Sequence, residues 1–271
     1  MTASKVTRSG RWVGPGSFHA VVGAIVVAAA VPVLVIVWSI VQPSTDVWSE
    51  LWATRLPGML TDTATLLVVV LGGSLVLGTG LAWLVTAYRF PGHRLLGWLL
   101  VTPLAIPGYV LGFVWLDTLQ DPLGARRVRS IWLCGLVLVL TLYPYVYLFA
   151  RAAFQEQSQR VVDVARSLGC SRIRAFWTIV LPMARPSLAG GAALVGMEVL
   201  TDVGTVRLFN VSTVADGVLR VWFGTGDRNA AAELSVLLIG VAVVLIAVER
   251  LARGRAKYTQ AGDRQRMTPV Q

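Results

Sequence analysis

The sequence predicts an all-α polytopic membrane protein, a bundle of six membrane-spanning helices, and three observations carry that expectation. Of 271 residues, 55% are hydrophobic and only 14% are charged, where a soluble domain has about 25% charged residues. The apolar residues gather into six runs, each long enough at about 1.5 Å per residue to cross about 30 Å of hydrocarbon. The basic residues stand at the ends of those runs. The formal charge of +10 therefore reads as loops facing anionic lipid headgroups, and nucleic acid is not an expected partner.

Residues 1–18, with Lys5, Arg8 and Arg11, read as a cytoplasmic tail, residues 19–251 as the six-helix unit, and residues 252–271 as a second cytoplasmic tail. The first run spans about His19 to Val41. Ala28-Ala29-Ala30 resembles a signal cleavage site, yet apolar sequence continues to Ile40, which favours a signal anchor. The second run, about Thr63 to Tyr88, sets Ser74, Gly78 and Ala82 four residues apart, a stripe of small residues that lets helix backbones approach in lipid. Tyr88-Arg89-Phe90-Pro91-Gly92 and Arg94 then mark a short cytoplasmic turn. The third run, about Leu95 to Leu119, contains Pro103, Pro107 and Gly108. Each proline removes a backbone donor, so this helix is expected to kink or break at membrane depth. Broken helices commonly line transport paths; a kinked packing helix is the plainer alternative.

The loop Asp121 to Ser130 carries Arg126, Arg127 and Arg129 on the outer side, against the positive-inside tendency. Most of the 24 basic residues nevertheless lie in the segments placed inside, which keeps both termini cytoplasmic. The fourth run, about Ile131 to Ala150, ends in Tyr143-Pro144-Tyr145-Val146-Tyr147. Phenolates can ligate ferric iron, but tyrosines at the end of a span read first as an aromatic belt. The fifth run, Ser187 to about Phe209, holds Glu198 about 18 Å along its axis, near mid-membrane. A carboxylate there costs about 2.5–3.5 kcal/mol on insertion scales and faces a bundle interior or a wet cavity. Asp202 lies one turn further on the same face. The pair reads either as a polar patch on a translocation path or as a structural pair, for instance with Arg207 or an arginine on a neighbouring helix. The segment Asn210 to Asn229 is polar and aromatic-studded and faces outward; a sixth run, about Ala230 to Leu251, closes the bundle.

Between the fourth and fifth runs, residues 151–186 form a polar loop of a particular design. Val161, Val164, Ala165 and Leu168 recur at the period of one helix face, while Arg160, Asp163, Arg166 and Ser167 take the other. Gly169 supplies the permissive backbone that ends this helix, and Ser171 can cap the next. Ile173, Phe176, Trp177, Val180 and Leu181 repeat the helical spacing until Pro182, which is expected to stop it. Two short amphipathic helices meeting at a glycine elbow form an object suited to a groove on a partner.

The spacing Asp163-Val164-Ala165, Gly169, Ile179, Leu181-Pro182 resembles the "EAA" loop of ABC-importer permeases, with Asp163 for the usual Glu and Val164 for the usual Ala. The resemblance extends from about Leu51 to Tyr258, and it implies a type I (MetI-like) permease fold. It implies further that Asp163, Ala165, Arg166, Leu168, Gly169 and Pro182 dock on cytoplasmic ABC ATPase subunits, and that an extracytoplasmic solute-binding protein delivers the cargo. Glu198, Asp202, Pro103 and Pro107 would border the translocation path. Met197-Glu198-Val199-Leu200-Thr201-Asp202-Val203-Gly204, the Trp222-to-Ala232 segment and Pro103 to Val110 are most similar to ferric-iron permeases. In those, two such halves usually share one chain. This chain is similar to the N-terminal half alone, so a second permease subunit or a second copy is expected to complete the pathway. The implied location is the inner or plasma membrane of a prokaryote.

No GxxxxGK[ST], HExxH or GxSxG occurs, and the two histidines and two cysteines offer no metal spacing. No catalytic residue, metal site or cofactor is expected, and ATP hydrolysis falls to a partner chain. A channel or a proton-coupled carrier using Glu198 and Asp202 as a relay is the rival reading; neither has use for a cytoplasmic docking elbow.

Overall fold

The structure, a computed structural model, describes residues 15–38, 45–88, 90–123, 129–156, 169–224 and 226–254. Helices are α1 (Pro15–Trp38), α2 (Thr45–Thr54), α3 (Leu56–Ala87), α4 (His93–Leu99), α5 (Gly108–Leu123), α6 (Ile131–Glu156), α7 (Arg172–Ala175), α8 (Leu181–Thr201), α9 (Gly204–Leu208), α10 (Val214–Gly224) and α11 (Arg228–Gly254). Among the described residues, five helices are long and apolar enough to cross a membrane. A sixth span results if the bent pair His93–Ala105 and Gly108–Leu119 counts as one.

The centre of the bundle is the pair α3 and α6. The small-residue stripe works as its composition demands: Ser74, Gly78 and Ala82 are all buried. A Cβ built at Gly78 would lie 2.8 Å from the Tyr143 carbonyl oxygen and 2.9 Å from the Tyr147 nitrogen, so the two backbones touch there. Gly135 abuts Val69, Gly73 abuts Val139 and Trp83 meets Phe154. Residue numbers rise together on both helices, and the pair is therefore parallel. Antiparallel to it runs α8: Phe176, just before it, meets Phe154, Gly191 meets Val146, and Glu198 meets Tyr145. The turn after α3 and the loop after α6 consequently share one end of the bundle. The segment following α8 lies at the other.

The third span breaks, as its prolines require, by 94°. A 3-10 turn covers Thr102–Ala105, and Ile106 adopts an extended backbone (φ −110°, ψ 122°), the conformation imposed on a residue that precedes proline. The fifth span departs from the expected bounds at both ends. Pro182 does not stop the preceding helix: the chain runs helically from Arg172 to Thr201 through a π turn at Phe176–Val180, where the Leu181 N–H donates to the Phe176 carbonyl. A regular turn would drive the proline ring into the Thr178 carbonyl, and the wider π turn moves that carbonyl aside. At the far end the helix finishes at Thr201, eight residues before Phe209, because Asp202 is extended (ψ 122°).

The segment read as a polar outer stretch contains α10, which buries Val214, Ala215, Gly217 and Val221. The Val214 N–H donates to Thr63 Oγ1 at 3.1 Å, and this hydroxyl donates in turn to the Met59 carbonyl at 2.7 Å. A small apolar cluster of Leu51, Leu56, Val221, Ala230, Ala231 and Leu234 fastens α10 and the start of α11 over the start of α3.

Candidate functional site

The elbow is described from Gly169 onward; Asp163, Ala165, Arg166 and Leu168 lie outside the described residues. Gly169 has φ +84°, and a Cβ added to it would meet nothing within 4 Å. The glycine is thus required by the left-handed backbone and not by crowding. Ser171 caps the next turn, its hydroxyl accepting from the Arg174 N–H at 3.3 Å. The elbow's second arm is anchored by three rings: Phe176 lies 4.8 Å from Trp83 of α3 and 6.2 Å from Phe154 of α6, with Trp83 and Phe154 5.9 Å apart. Val180 is buried beneath them. Ile173 and Trp177 remain exposed, at 67% and 63%. The face read as uniformly apolar is therefore divided, half holding the arm to the bundle and half presented outward at the elbow end.

The polar residues within the bundle do not form one cluster. Glu198 is exposed in the single chain and accepts from the Tyr145 hydroxyl at 3.3 Å. Asp202 is occupied: its two carboxylate oxygens accept from the Thr205 N–H (2.9 Å), the Thr205 hydroxyl (2.8 Å) and the Val206 N–H (3.1 Å). From the position before the N-cap Val203 its carboxylate takes two N–H groups of the first turn of α9, fixing the chain where α8 ends. The structural pairing with Arg207 does not form, because Arg207 binds Asp216. Pro103 sits in the 3-10 turn, while Pro107 brings Gly108 against the second break. A Cβ on Gly108 would lie 3.2 Å from Thr205 Oγ1 and 3.8 Å from Asp202 Oδ2, and one on Gly204 would lie 3.0 Å from Tyr109 Cβ. The breaks of the third and fifth spans therefore abut, sealed by a glycine on each side.

Tyr145 is only partly buried and bonds Glu198, but Tyr143 and Tyr147 are 7% and 0% exposed, core and not an interfacial belt. The helix winds them inward against α3, a placement that adjacency in sequence does not reveal. Among the described residues no group of three His, Cys, Asp or Glu side chains is placed to hold a metal ion.

Two polar constellations escaped the sequence reading. Fully buried Asp216 receives Arg207 Nε on one carboxylate oxygen and Arg220 Nε on the other. Its i,i+4 spacing to Arg220 was a visible signal; its bond to Arg207 was not. The second joins α6 to α4: the Gly97 carbonyl accepts from the Tyr147 hydroxyl at 3.1 Å and from Arg151 Nη1 at 3.2 Å.

Comparison with known proteins matches residues 74–253 to a family model described as "Binding-protein-dependent transport system inner membrane component". The Fe(3+)-transport system permease protein FbpB 2 of Haemophilus influenzae is 27% identical over 212 residues, covering 78% of this chain and 41% of that one. The chain thus spans less than half the length of that relative. The molybdate/tungstate transport system permease protein WtpB of Pyrococcus abyssi is 28% identical over 200 residues, 73% of this chain and 77% of that one. The sulfate transport system permease protein CysT of Salmonella typhimurium is 27% identical over 226 residues, 76% of this chain and 81% of that one. Among solved structures, a chain of an inward-facing MetNI methionine ABC transporter superposes with a TM-score of 0.60 at 16% identity, over 76% of this chain and 97% of that one. A chain of a bacterial ABC transporter involved in import of the acidic polysaccharide alginate superposes with a TM-score of 0.66 at 13% identity, over 90% and 96%.

Proposed function

Since the chain belongs to the family of binding-protein-dependent transport system inner membrane components, we propose that it is the membrane-spanning subunit of an ATP-driven importer, working with separate cytoplasmic ATPase subunits, an extracytoplasmic solute-binding protein and a second permease subunit or copy. The observation that carries this reading is the elbow. A glycine in left-handed backbone stands at the one position of the spacing that needs it, at the end of the bundle where α3 and α6 both finish. Exposed Ile173 and Trp177 give the ATPase an apolar hold. ATP closure of the motor subunits shifts the elbow, and the paired bundles exchange inward-open and outward-open states through differential stabilisation of the two. In this reading six spans occupy residues 19–251, the tails 1–18 and 252–271 are cytoplasmic, and ATP is hydrolysed only on the partner.

Glu198 and Asp202, with Pro103 and Pro107, border the translocation path. Glu198 supports this by its depth and its exposure in a single copy, a position tolerable only beside a polar partner or a wet cavity. For the cargo, ferric iron is favoured by the likeness of Met197–Gly204 and Trp222–Ala232 to ferric-iron permeases and by the Haemophilus relative. An oxyanion is the second reading. Arg207 and Arg220, each 45% exposed, share one buried carboxylate at the end opposite the elbow, so the constellation carries a net positive charge suited to a tetrahedral anion.

One experiment addresses both levels. The complex reconstituted with its ATPase and binding protein is offered radiolabelled ferric iron, molybdate and sulfate. ATP-dependent accumulation of iron, reduced at least about tenfold in Glu198→Gln if the lost carboxylate interaction is worth about 1.4 kcal/mol, is the expected result. Accumulation of an oxyanion instead replaces the cargo reading. Uptake driven by a proton gradient without ATP overturns the importer reading.

A further inference from the structure

The importer reading leaves open how movement at the elbow reaches the span that has to bend. Resting on that reading, we propose that Arg151, assisted by Tyr147, is the positioning residue that transmits displacement of the elbow to the broken third span. Arg151 lies on the last turns of α6, five residues before Glu156, where the chain enters the segment that carries Asp163 to Leu168. One turn further, Phe154 belongs to the three-ring anchor that also seats Phe176 of the elbow's second arm. The elbow's second arm therefore packs on the same end of α6 from which Arg151 projects.

What it grips is the weak point of the neighbouring element. Near the end of α4, before the break, Val101 N–H bonds to the Trp98 carbonyl, not to Gly97. The Gly97 carbonyl is one of the acceptors a helix end leaves without an intrahelical donor. It is taken instead by Arg151 Nη1 at 3.2 Å and Tyr147 OH at 3.1 Å, partners 54 and 50 residues away in sequence. The Arg151 guanidinium also lies over the Tyr147 ring, 5.9 Å from its centroid. A Cβ on Gly97 would stand 3.4 Å from both Nη atoms, in ordinary van der Waals contact, so the guanidinium lies directly against this glycine. The carbonyl belongs to the half-span on the elbow side of the 94° bend. A pull on it alters the bend, and the far half-span meets the fifth-span break through Gly108, Thr205 and Asp202. A hydrogen bond from a charged donor is among the stronger ones a protein makes, and coupling needs a bias of only about five- to 150-fold.

The test separates coupling from stability. The full complex in proteoliposomes is assayed for ATP hydrolysis and for uptake of radiolabelled ferric iron, molybdate and sulfate. In Arg151→Gln, uptake per ATP hydrolysed is expected to fall about tenfold or more, with Arg151→Lys partly restoring it. Tyr147→Phe keeps the ring and loses one neutral donor, so a smaller fall of about two- to tenfold is expected. This variant also decides the matter if Arg151→Gln does not assemble. A cargo-independent readout uses spin labels on native Cys170 and on Phe113→Cys, an exposed site on α5; Cys134 is buried. The ATP-dependent change in their separation should be lost in Arg151→Gln. If both the uptake ratio and the distance change are unaltered, or if uptake and hydrolysis fall in proportion, Arg151 is structural only and the proposal is wrong. If the unsubstituted complex shows no ATP-dependent response, the importer reading itself fails.

Discussion

Gly169 carries its requirement in its backbone. With φ +84° and no atom within 4 Å of an added Cβ, substitution is penalised by conformation alone, about 1–2 kcal/mol for an ordinary side chain. That cost lowers the elbow population about five- to thirtyfold. Gly169→Val should therefore cut ATP-driven uptake by that order while leaving membrane insertion intact, and Gly169→Asn should retain most of it, because asparagine visits the left-handed region readily. Equal uptake in the valine variant would show that the left-handed turn is dispensable. This glycine was legible in the sequence because a residue type was dictated by local geometry. The Gly97 grip was not, since a glycine carbonyl advertises nothing and its partners are 50 and 54 residues away. Asp202 was legible as a carboxylate one turn beyond Glu198, but its hold on the first turn of α9 depended on the helix ending at Thr201, which a span read on to Phe209 did not show.

Among the elements, those governed by strong local rules were the readable ones. Pro103 and Pro107 announced the broken third span, and four-residue spacing announced the small-residue face of α3. Pro182 misled because a π turn can carry a proline through a helix, and no residue type marks a π turn. The stretch holding α10, read as polar and outward-facing, conceals in Asp216 a fully buried ion-pair centre. The α3–α6 contact makes a further prediction. Gly78→Val should lower the midpoint of thermal unfolding in detergent, a loss of about 1–3 kcal/mol typical of overpacking, because its Cβ would press on the α6 backbone at 2.8 Å. Gly80→Val is the control, since a Cβ there meets nothing within 4 Å. Indistinguishable melting of the two variants would mean that the helices part easily at Gly78.

For the whole molecule, the orientation of the helices fixes which loops share a side. Because α3 and α6 are parallel and α8 is antiparallel to both, Cys170 and Phe223 belong to opposite ends. A membrane-impermeant maleimide applied to intact cells should label Phe223→Cys, where the side chain is 77% exposed, and should reach Cys170 only after the cells are opened. The reverse pattern would place the elbow on the wrong side for any cytoplasmic motor. The fold as a whole was legible because spans are specified by length and hydrophobicity. Which faces of those spans meet was mostly not, since lipid and neighbouring helices ask for the same apolar side chains.

The touching backbones at Gly78 have a mechanical corollary. Where two rods meet backbone to backbone there is little left to compress, so at that point they are braced against each other. In the proposed cycle, movement is expected in the jointed pieces around that brace, so that a passage would open by hinging about it and not by swelling.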